Sequence, residues 1–278
     1  VRSVTVESAR STVLSQIYRL QLAYDGDAAD GPASLVFKTK HPTLDYGAWK
    51  YGEHEVAFYR DVAPATPADL LPRCFDSRWD DATRDWHFLL EDLASTHTIT
   101  TTWPVPPSLG DCETIVRGLA RFHAAWWDAP RLGISVGRWT DPADLEASRG
   151  KLAAAVARFT DVLGDRLPPA RRARYGRLIE RLGPLSVRYH SHRNMTIVHG
   201  DAHVWNWFVP KSGVADTARL FDWDSWRPDI ATDDLAYMMA LHWFPDMRQA
   251  REGHLLDIYH HELLSQGVEG YDRQSLQD

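Results

Sequence analysis

A chain of 278 residues with 44% apolar and 25% charged residues has the composition of a folded globular protein, long enough for one large domain or two modest ones, and not of a disordered segment. Its formal charge of -7 and pI of about 6.0 exclude a protein whose main task is to neutralise nucleic-acid phosphates, which needs a basic surface. Cys74 and Cys112 form no CxxC pair, so buried free thiols are expected in place of a disulfide framework or a thiolate zinc site.

The first forty residues read as strands: IYRLQLAY alternates, ASLVFKTK is a short apolar run ending in lysines, and the acidic, glycine-containing DGDAADGP between them predicts a hairpin. From Gly47 to Val62 the run GAWKYGEHEVAFYRDV sets Trp49, Val56 and Tyr59 at helical spacing, and APATPADLLP ends the helix. WHFLLEDL follows as a strand that fades into the polar turn STHTITTT. The change of composition near Leu93 predicts a small mixed lobe, residues 1–92, and a larger, mainly helical lobe, residues 93–278. In the second lobe DCETIVRGLARFHAAWWD aligns Ile115, Leu119, Phe122 and Trp126 behind Asp111 as N-cap. PARRARYGRLIERLG aligns Tyr175, Leu178, Ile179 and Leu182, with Gly183 as its stop. Two strand-like pieces, TIVHG and ARLFDWD, precede the helical DLAYMMALHWF. The longest apolar segments fall short of the roughly 20 residues a membrane span needs. No secretory signal is visible, so a cytoplasmic location is expected, and the chain opens on Val1 without an initiator methionine, as a trimmed one would.

Three polar islands carry the chemistry. In VHGDAHVWNWFVP, Asp201 is followed five positions later by Asn206, directly after a strand, the spacing of a protein-kinase catalytic loop in which the aspartate accepts a hydroxyl proton and the asparagine ligates magnesium. In ARLFDWDSW an apolar strand delivers Asp222 and Asp224, which flank Trp223 and would project to the same side of an extended strand as metal ligands. Lys38, at the end of SLVFKTK, reaches for nucleotide phosphates, and Glu55 in the following helix is placed to hold it by an ion pair. Lys40 and Glu53 compete for these places; Lys38 lies deeper in the apolar run, and Glu55 precedes the apolar VAFY.

HGDAHVWN, followed by LFDWDSW and then TDDLAY, resembles the aminoglycoside phosphotransferase and choline kinase superfamily, and LVFKTK, EHEVAFY and FLLEDL are most similar to its ecdysteroid-kinase-like branch. The resemblance runs from about Leu35 to about Ala236 in the same linear order. It implies an α+β, bilobal protein-kinase-like fold that uses ATP and Mg2+ to phosphorylate a hydroxyl of a small molecule, whether aminoglycoside-like, choline-like or another alcohol. Asp201 would be the catalytic base, Asn206 and Asp222 the magnesium ligands, and Asp224 a further metal contact. Lys38 would meet the phosphates with Glu55 behind it, and Glu91, Asp92 and Leu93 would form the hinge that offers backbone groups to adenine. His199 would brace the loop, His203 fits the same pattern, and Asp234 would start a helix as its capping residue and tie the loop down.

The first hairpin departs from kinase expectations. ESARSTVLSQIY has no glycine where a phosphate-covering loop should lie, and offers Ser8, Ser11 and Thr12 as hydroxyl donors. That departure supports an alternative, a kinase-shaped protein that binds a nucleotide or metabolite with little transfer. A zinc site on His199 and His203 would need a shared helical face, which the glycine after His199 argues against. His260 and His261 belong to an amphipathic helix, one partly buried and one solvated, and there is no GxSxG elbow for a serine hydrolase. Of 12 tryptophans, Trp205, Trp207, Trp223, Trp226 and Trp243 gather around the motifs, and most are expected to fill core. Trp205 and Trp207, on either side of Asn206, are where an acceptor wall or a structural wedge is sought.

Overall fold

The computed structural model describes residues 1–25, 31–43, 51–100 and 106–277, apart from the side chains of 185–188. An antiparallel sheet is built from β1 (Ser3–Ser11), β2 (Ser15–Ala23), β3 (Ser34–Lys40), β4 (Cys74–Trp79) and β5 (Trp86–Glu91), in the order β1-β2-β3-β5-β4. The predicted hairpin is β2–β3, with Ile17 opposite Lys38 and Leu20 opposite Leu35. The inner strands bury Leu35, Phe88 and Leu90, and α1 (Tyr51–Asp61) packs on β4 and β5. Phe58 leaves the sheet side of α1 and stacks on Trp223 at 3.8 Å, so this one helix joins the sheet to the segment that carries Asp222. The predicted helix start, Gly47 with Trp49, lies outside the described residues.

The rest is mainly helical. α2 (Leu109–Trp126) packs along α6 (Pro245–Ser265), while α3 (Pro142–Leu163) and α4 (Pro169–His190) pack on each other. β6 (His97–Ile99), β8 (Trp207–Pro210) and β9 (Arg219–Leu220) form one small sheet, and β7 (Met195–Val198) pairs with β10 (Arg227–Ile230). α5 (Thr232–Ala236) runs on into a π-helical turn, Tyr237–Leu241, and α7 (Arg273–Gln277) closes the described chain. The fold class is therefore α+β, a β-rich region followed by a helical one.

Several local expectations are corrected. β1 absorbs ESARS, which leaves only Thr12–Leu14 as the tip of the first hairpin. The N-cap of α2 is Ser108, whose hydroxyl accepts the Asp111 N–H at 3.1 Å, so Asp111 sits inside the first turn. α4 does not stop at Gly183 but runs through Pro184 to His190, with the Arg149 guanidinium of α3 packed over Gly183. The strand that precedes the DWD segment ends at Leu220, and Asp222 has φ +71°, so Asp222 and Asp224 do not share one face of an extended strand. The chain curls there because Trp223 is drawn fully inward, with its indole N–H on the Leu220 carbonyl at 3.2 Å. Cys112 is buried as expected, but Cys74 is only half-buried.

Candidate functional site

The loop that bears Asp201 leaves β7, whose four residues are all buried, and its first turn is held from below by one carboxylate. Asp234, fully buried, accepts the backbone N–H of His199 at 2.7 Å and of Gly200 at 2.8 Å, and the Nε2–H of buried His123 at 3.2 Å. Burial works against its charge, but His123, His199 and these donors together hold its carboxyl below the ordinary range. Asp234 lies in the first turn of α5 and is not its cap, which is Ala231, so its hydrogen bonds go to the loop and not to its own helix. The His199 ring donates from Nε2 to the Phe221 carbonyl at 2.9 Å and accepts the Asp201 N–H on Nδ1 at 3.2 Å, which fixes one tautomer and ties the loop to the DWD segment. Gly200 is required twice over: φ is +81°, and a Cβ would lie 2.5 Å from the Ser225 carbonyl oxygen.

Past Asp201 the chain makes a short 3-10 turn, Val204–Asn206, that buries Asn206. The Asn206 Nδ2 donates to the Asp201 carbonyl at 2.9 Å and to its Oδ2 at 3.2 Å, which leaves the amide oxygen as the open end of the side chain. The Asn206 carbonyl accepts the Phe221 N–H at 3.1 Å, so Asn206 and the approach to Asp222 are adjacent. His203 Nε2 stands 3.5 Å from Asp201 Oδ2, and burial, with His242 and His199 nearby, lowers the His203 pKa despite Asp201.

Residues far apart in sequence meet on the sheet side of the loop. Lys38 Nζ donates to Glu55 Oε2 at 2.7 Å and to Asp222 Oδ1. Lys40 takes the outer place, with Asp85 at 3.3 Å. Burial opposes the Lys38 charge, yet Asp222 and Glu55 outweigh it and hold the ammonium above the usual lysine range. The two carboxylates diverge: burial raises Glu55, with Lys38 offsetting only part, whereas Lys38 overcomes burial at Asp222 and lowers it. The neighbours make the difference: Glu55 also feels the negative charges of Asp222 and Asp224, whereas Asp222 has His199 and His203 beside it. Asp224 is raised by burial and by the charge of Asp222, and accepts a hydrogen bond from Ser225 Oγ at 2.7 Å.

Glu91, Asp92 and Leu93 use their side chains structurally. Glu91 Oε2 accepts from Arg219 at 3.0 Å, and Asp92 Oδ2 accepts from Arg19 at 2.6 Å while its Oδ1 takes the Ala94 N–H. The Leu93 carbonyl is taken by the N–H groups of Thr96 and His97, and the Glu91 N–H by the Arg73 carbonyl. At the first hairpin tip, Thr12 Oγ1 accepts the Leu14 and Ser15 N–H groups, and Ser11 Oγ donates to Gln16 at 2.6 Å, so these hydroxyls are engaged locally. Ser8 lies in β1, at the register shift opposite Arg19.

The donor set offered by Asp222 and Asn206 is all oxygen, with one charge, and it suits Mg2+, which keeps waters and substrate oxygens in place of a full protein cage. Among the described residues no group of three His, Cys, Asp or Glu side chains is arranged to hold a metal by itself. Trp205 and Trp207 part company. Trp207 is buried against Gly118, whereas half-buried Trp205 meets the rings of His203 at 5.2 Å and His242 at 6.0 Å. Sequence reasoning missed Tyr237, whose hydroxyl is pushed up to a pKa of about 12 by the nearby Asp201 carboxylate together with burial. It also missed His123; the signal for Tyr237 was its place three residues after Asp234, whereas His123 sits inside an apolar helix stripe that gives no sign of a polar partner.

The arrangement is that of a kinase-like fold, and a profile of the ecdysteroid kinase-like family matches residues 11–127 and 155–267. The chain belongs to that family. Comparison with curated proteins gave no match. Among solved structures it is similar to the GDP complex of wild-type aminoglycoside 2'-phosphotransferase-IIIa, at 14% identity and TM-score 0.51, over 99% of this chain and 86% of that one. It is also matched to aminoglycoside-3'-phosphotransferase of type VIII, at 18% identity and TM-score 0.46, over 95% of this chain and 93% of that one. The likeness to the 2'-phosphotransferase is one of fold, the bilobal protein-kinase-like architecture.

Proposed function

We propose that the protein is a phosphotransferase that moves the γ-phosphoryl group of ATP to a hydroxyl of a small molecule, with Mg2+, in the cytoplasm. The observation that carries this reading is the meeting of Lys38, Glu55 and Asp222 beside the Asp201–Asn206 loop, because phosphoryl transfer asks mainly for positioning and charge stabilisation. Lys38 would steady the donor phosphates, with Glu55 keeping it aimed. Asp222 and Asn206 would hold magnesium, with Asp224 alongside, and the metal would neutralise phosphate charge. Asp201 would orient the acceptor hydroxyl and take its proton. Backbone groups of Glu91 to Leu93 would meet adenine where residues 1–92 give way to 93–278. A cavity of about 950 Å3, bounded in part by His54, Ile134, Arg138, Asp224 and Trp226, meets these carboxylates at Asp224 and is large enough for a small-molecule acceptor, aminoglycoside-like, choline-like or another alcohol.

The test is a panel of hydroxylated acceptors assayed for ATP consumption with Mg2+, beside Asp201→Asn. Turnover with one acceptor class that falls by at least about 100-fold in the variant is expected; full turnover in Asp201→Asn would overturn the assignment. A second reading, a kinase-shaped binding protein, draws on the hairpin tip, whose hydroxyls are already bonded to their neighbours. It predicts nucleotide binding with no acceptor-dependent turnover across the same panel.

A further inference from the structure

We propose that the hairpin of α3 and α4 is a docking surface for a membrane with anionic headgroups. The two helices pack on each other, and among their described residues only Thr160 and Tyr189 are buried. An apolar stripe is left open on each. On α3 it is Leu152, Ala155, Phe159 and Val162, spaced three, four and three apart and so on one face, with Leu152 41%, Phe159 45% and Val162 75% exposed. α4 adds Leu178, 44% exposed. The stripes share one side of the hairpin, because Phe159 meets Tyr175 edge to face at 5.7 Å and Tyr175 lies three residues before Leu178 on the same face.

Charge identifies what covers this side. Residues 142–190 carry ten arginines and lysines against five acidic residues, in a chain whose formal charge is -7. Arg171, Arg174 and Arg181 stand seven and four residues before Leu178 and three after it, exposed on its face of α4, and exposed Lys151 and Arg158 directly precede Leu152 and Phe159. None of these five side chains has an ion-pair or hydrogen-bond partner among the described residues. Asp161 and Glu180, two positions after Phe159 and Leu178, fall on the far side of their helices. A second copy packed two-fold on this side would set arginines against arginines, and a nucleic acid would leave Leu152 and Val162 without an apolar partner. An anionic lipid surface answers both needs: apolar side chains enter the acyl boundary while the cations meet the phosphates. No helix among the described residues is long and apolar enough to cross a membrane, and the contact is with its surface.

The full chain is sedimented with vesicles of phosphatidylcholine alone and with vesicles that also hold about 30% phosphatidylglycerol; it should bind the anionic ones at least about tenfold more strongly and lose that preference in about 0.5 M salt. Phe159→Glu with Val162→Glu, and separately Arg174→Gln with Arg181→Gln, should each cut binding at least about tenfold. The arginine pair is fully on the surface, so its thermal midpoint should stay within about 2 °C of wild type and separate lost docking from unfolding. Wild type that stays in the supernatant with both vesicles, that binds both equally, or that binds no better than the two variants would overturn the proposal. Wild type that ignores vesicles but self-associates, and returns to a monomer with Phe159→Glu and Val162→Glu, would give this side to a second copy and overturn it as well. The test needs no phosphoryl transfer, so its failure leaves the reading of the Asp201 loop untouched.

Discussion

Asp234→Asn isolates the clamp beneath the catalytic loop. The side chain keeps its size, but one carboxylate oxygen becomes an NH2 group that faces donors: the His199 N–H at 2.7 Å, the Gly200 N–H at 2.8 Å and the His123 Nε2–H at 3.2 Å. The amide oxygen can serve one side of this set, so at least one buried backbone N–H loses its acceptor and meets another donor. An unmet buried donor costs about 1–3 kcal/mol, and losing a charged acceptor places the total at roughly 3 kcal/mol. At the scale of a domain of this size that corresponds to a fall in Tm of roughly 6–12 °C. The pH dependence has a definite sign. The folded carboxyl is held below its ordinary value of 3.8, so its contribution is fully present above about that pH and is lost as pH falls through the lower folded value. Urea unfolding should therefore find wild type and Asp234→Asn separated by a constant margin between about pH 5 and 8, narrowing only in stronger acid. A variant within about 0.5 kcal/mol of wild type at pH 7, or a margin that shrinks toward neutrality, would refute the argument.

Gly200→Ala should cost about 3 kcal/mol or more, against about 1–2 kcal/mol for Gly213→Ala, because both sit near φ +80° but only Gly200 has a carbonyl oxygen 2.5 Å from its would-be Cβ; paired urea titrations read the difference. Trp207→Ala should lose about 3–5 kcal/mol by opening a cavity beside Gly118. Trp205→Ala should cost less than Trp207→Ala, because Trp205 is only partly buried against the core and meets the rings of His203 and His242; the same urea titrations compare the two.

Side chains placed by strand and helix periodicity were legible in the sequence, and side chains placed by loops were not. The order Lys38, Glu55, Asp222 is readable because an apolar strand and an amphipathic helix fix where a charged residue must point. The distinction between Lys38 and Lys40 follows from depth in the run, and the structure gives Lys40 a separate, outer partner in Asp85. The geometry of the DWD segment could not be read in the same way. Alternation holds only while the chain is extended, and burying Trp223 between Phe58 at 3.8 Å and Phe122 at 4.7 Å forces Asp222 into a left-handed conformation that non-glycine residues seldom take. Likewise Gly183 carries the usual sign of a helix stop, yet α4 continues through it and Pro184 to His190.

The same segment explains why the loop and the sheet side act as one unit. Trp223 stacks on Phe58 of α1, three residues after Glu55, while its neighbour Asp222 bonds the lysine that Glu55 holds. A shift of α1 would therefore pull on Asp222 through the ring stack and through Lys38 together. On the opposite side Phe221 accepts from His199 with its carbonyl and donates to Asn206 with its N–H, so a shift of Asp222 is felt by both ends of the Asp201 loop. Interiors packed this closely do not deform continuously, so the Lys38 pair, the Asp222 turn and the Asp201 loop hold one arrangement or lose it together. A substitution that disturbs the Phe58–Trp223 stack should for that reason depress turnover even though neither ring takes part in the chemistry. Phe58→Leu, which keeps an apolar side chain at the position but loses the stack, should lower kcat by a larger factor than its loss of stability alone would remove from the folded population.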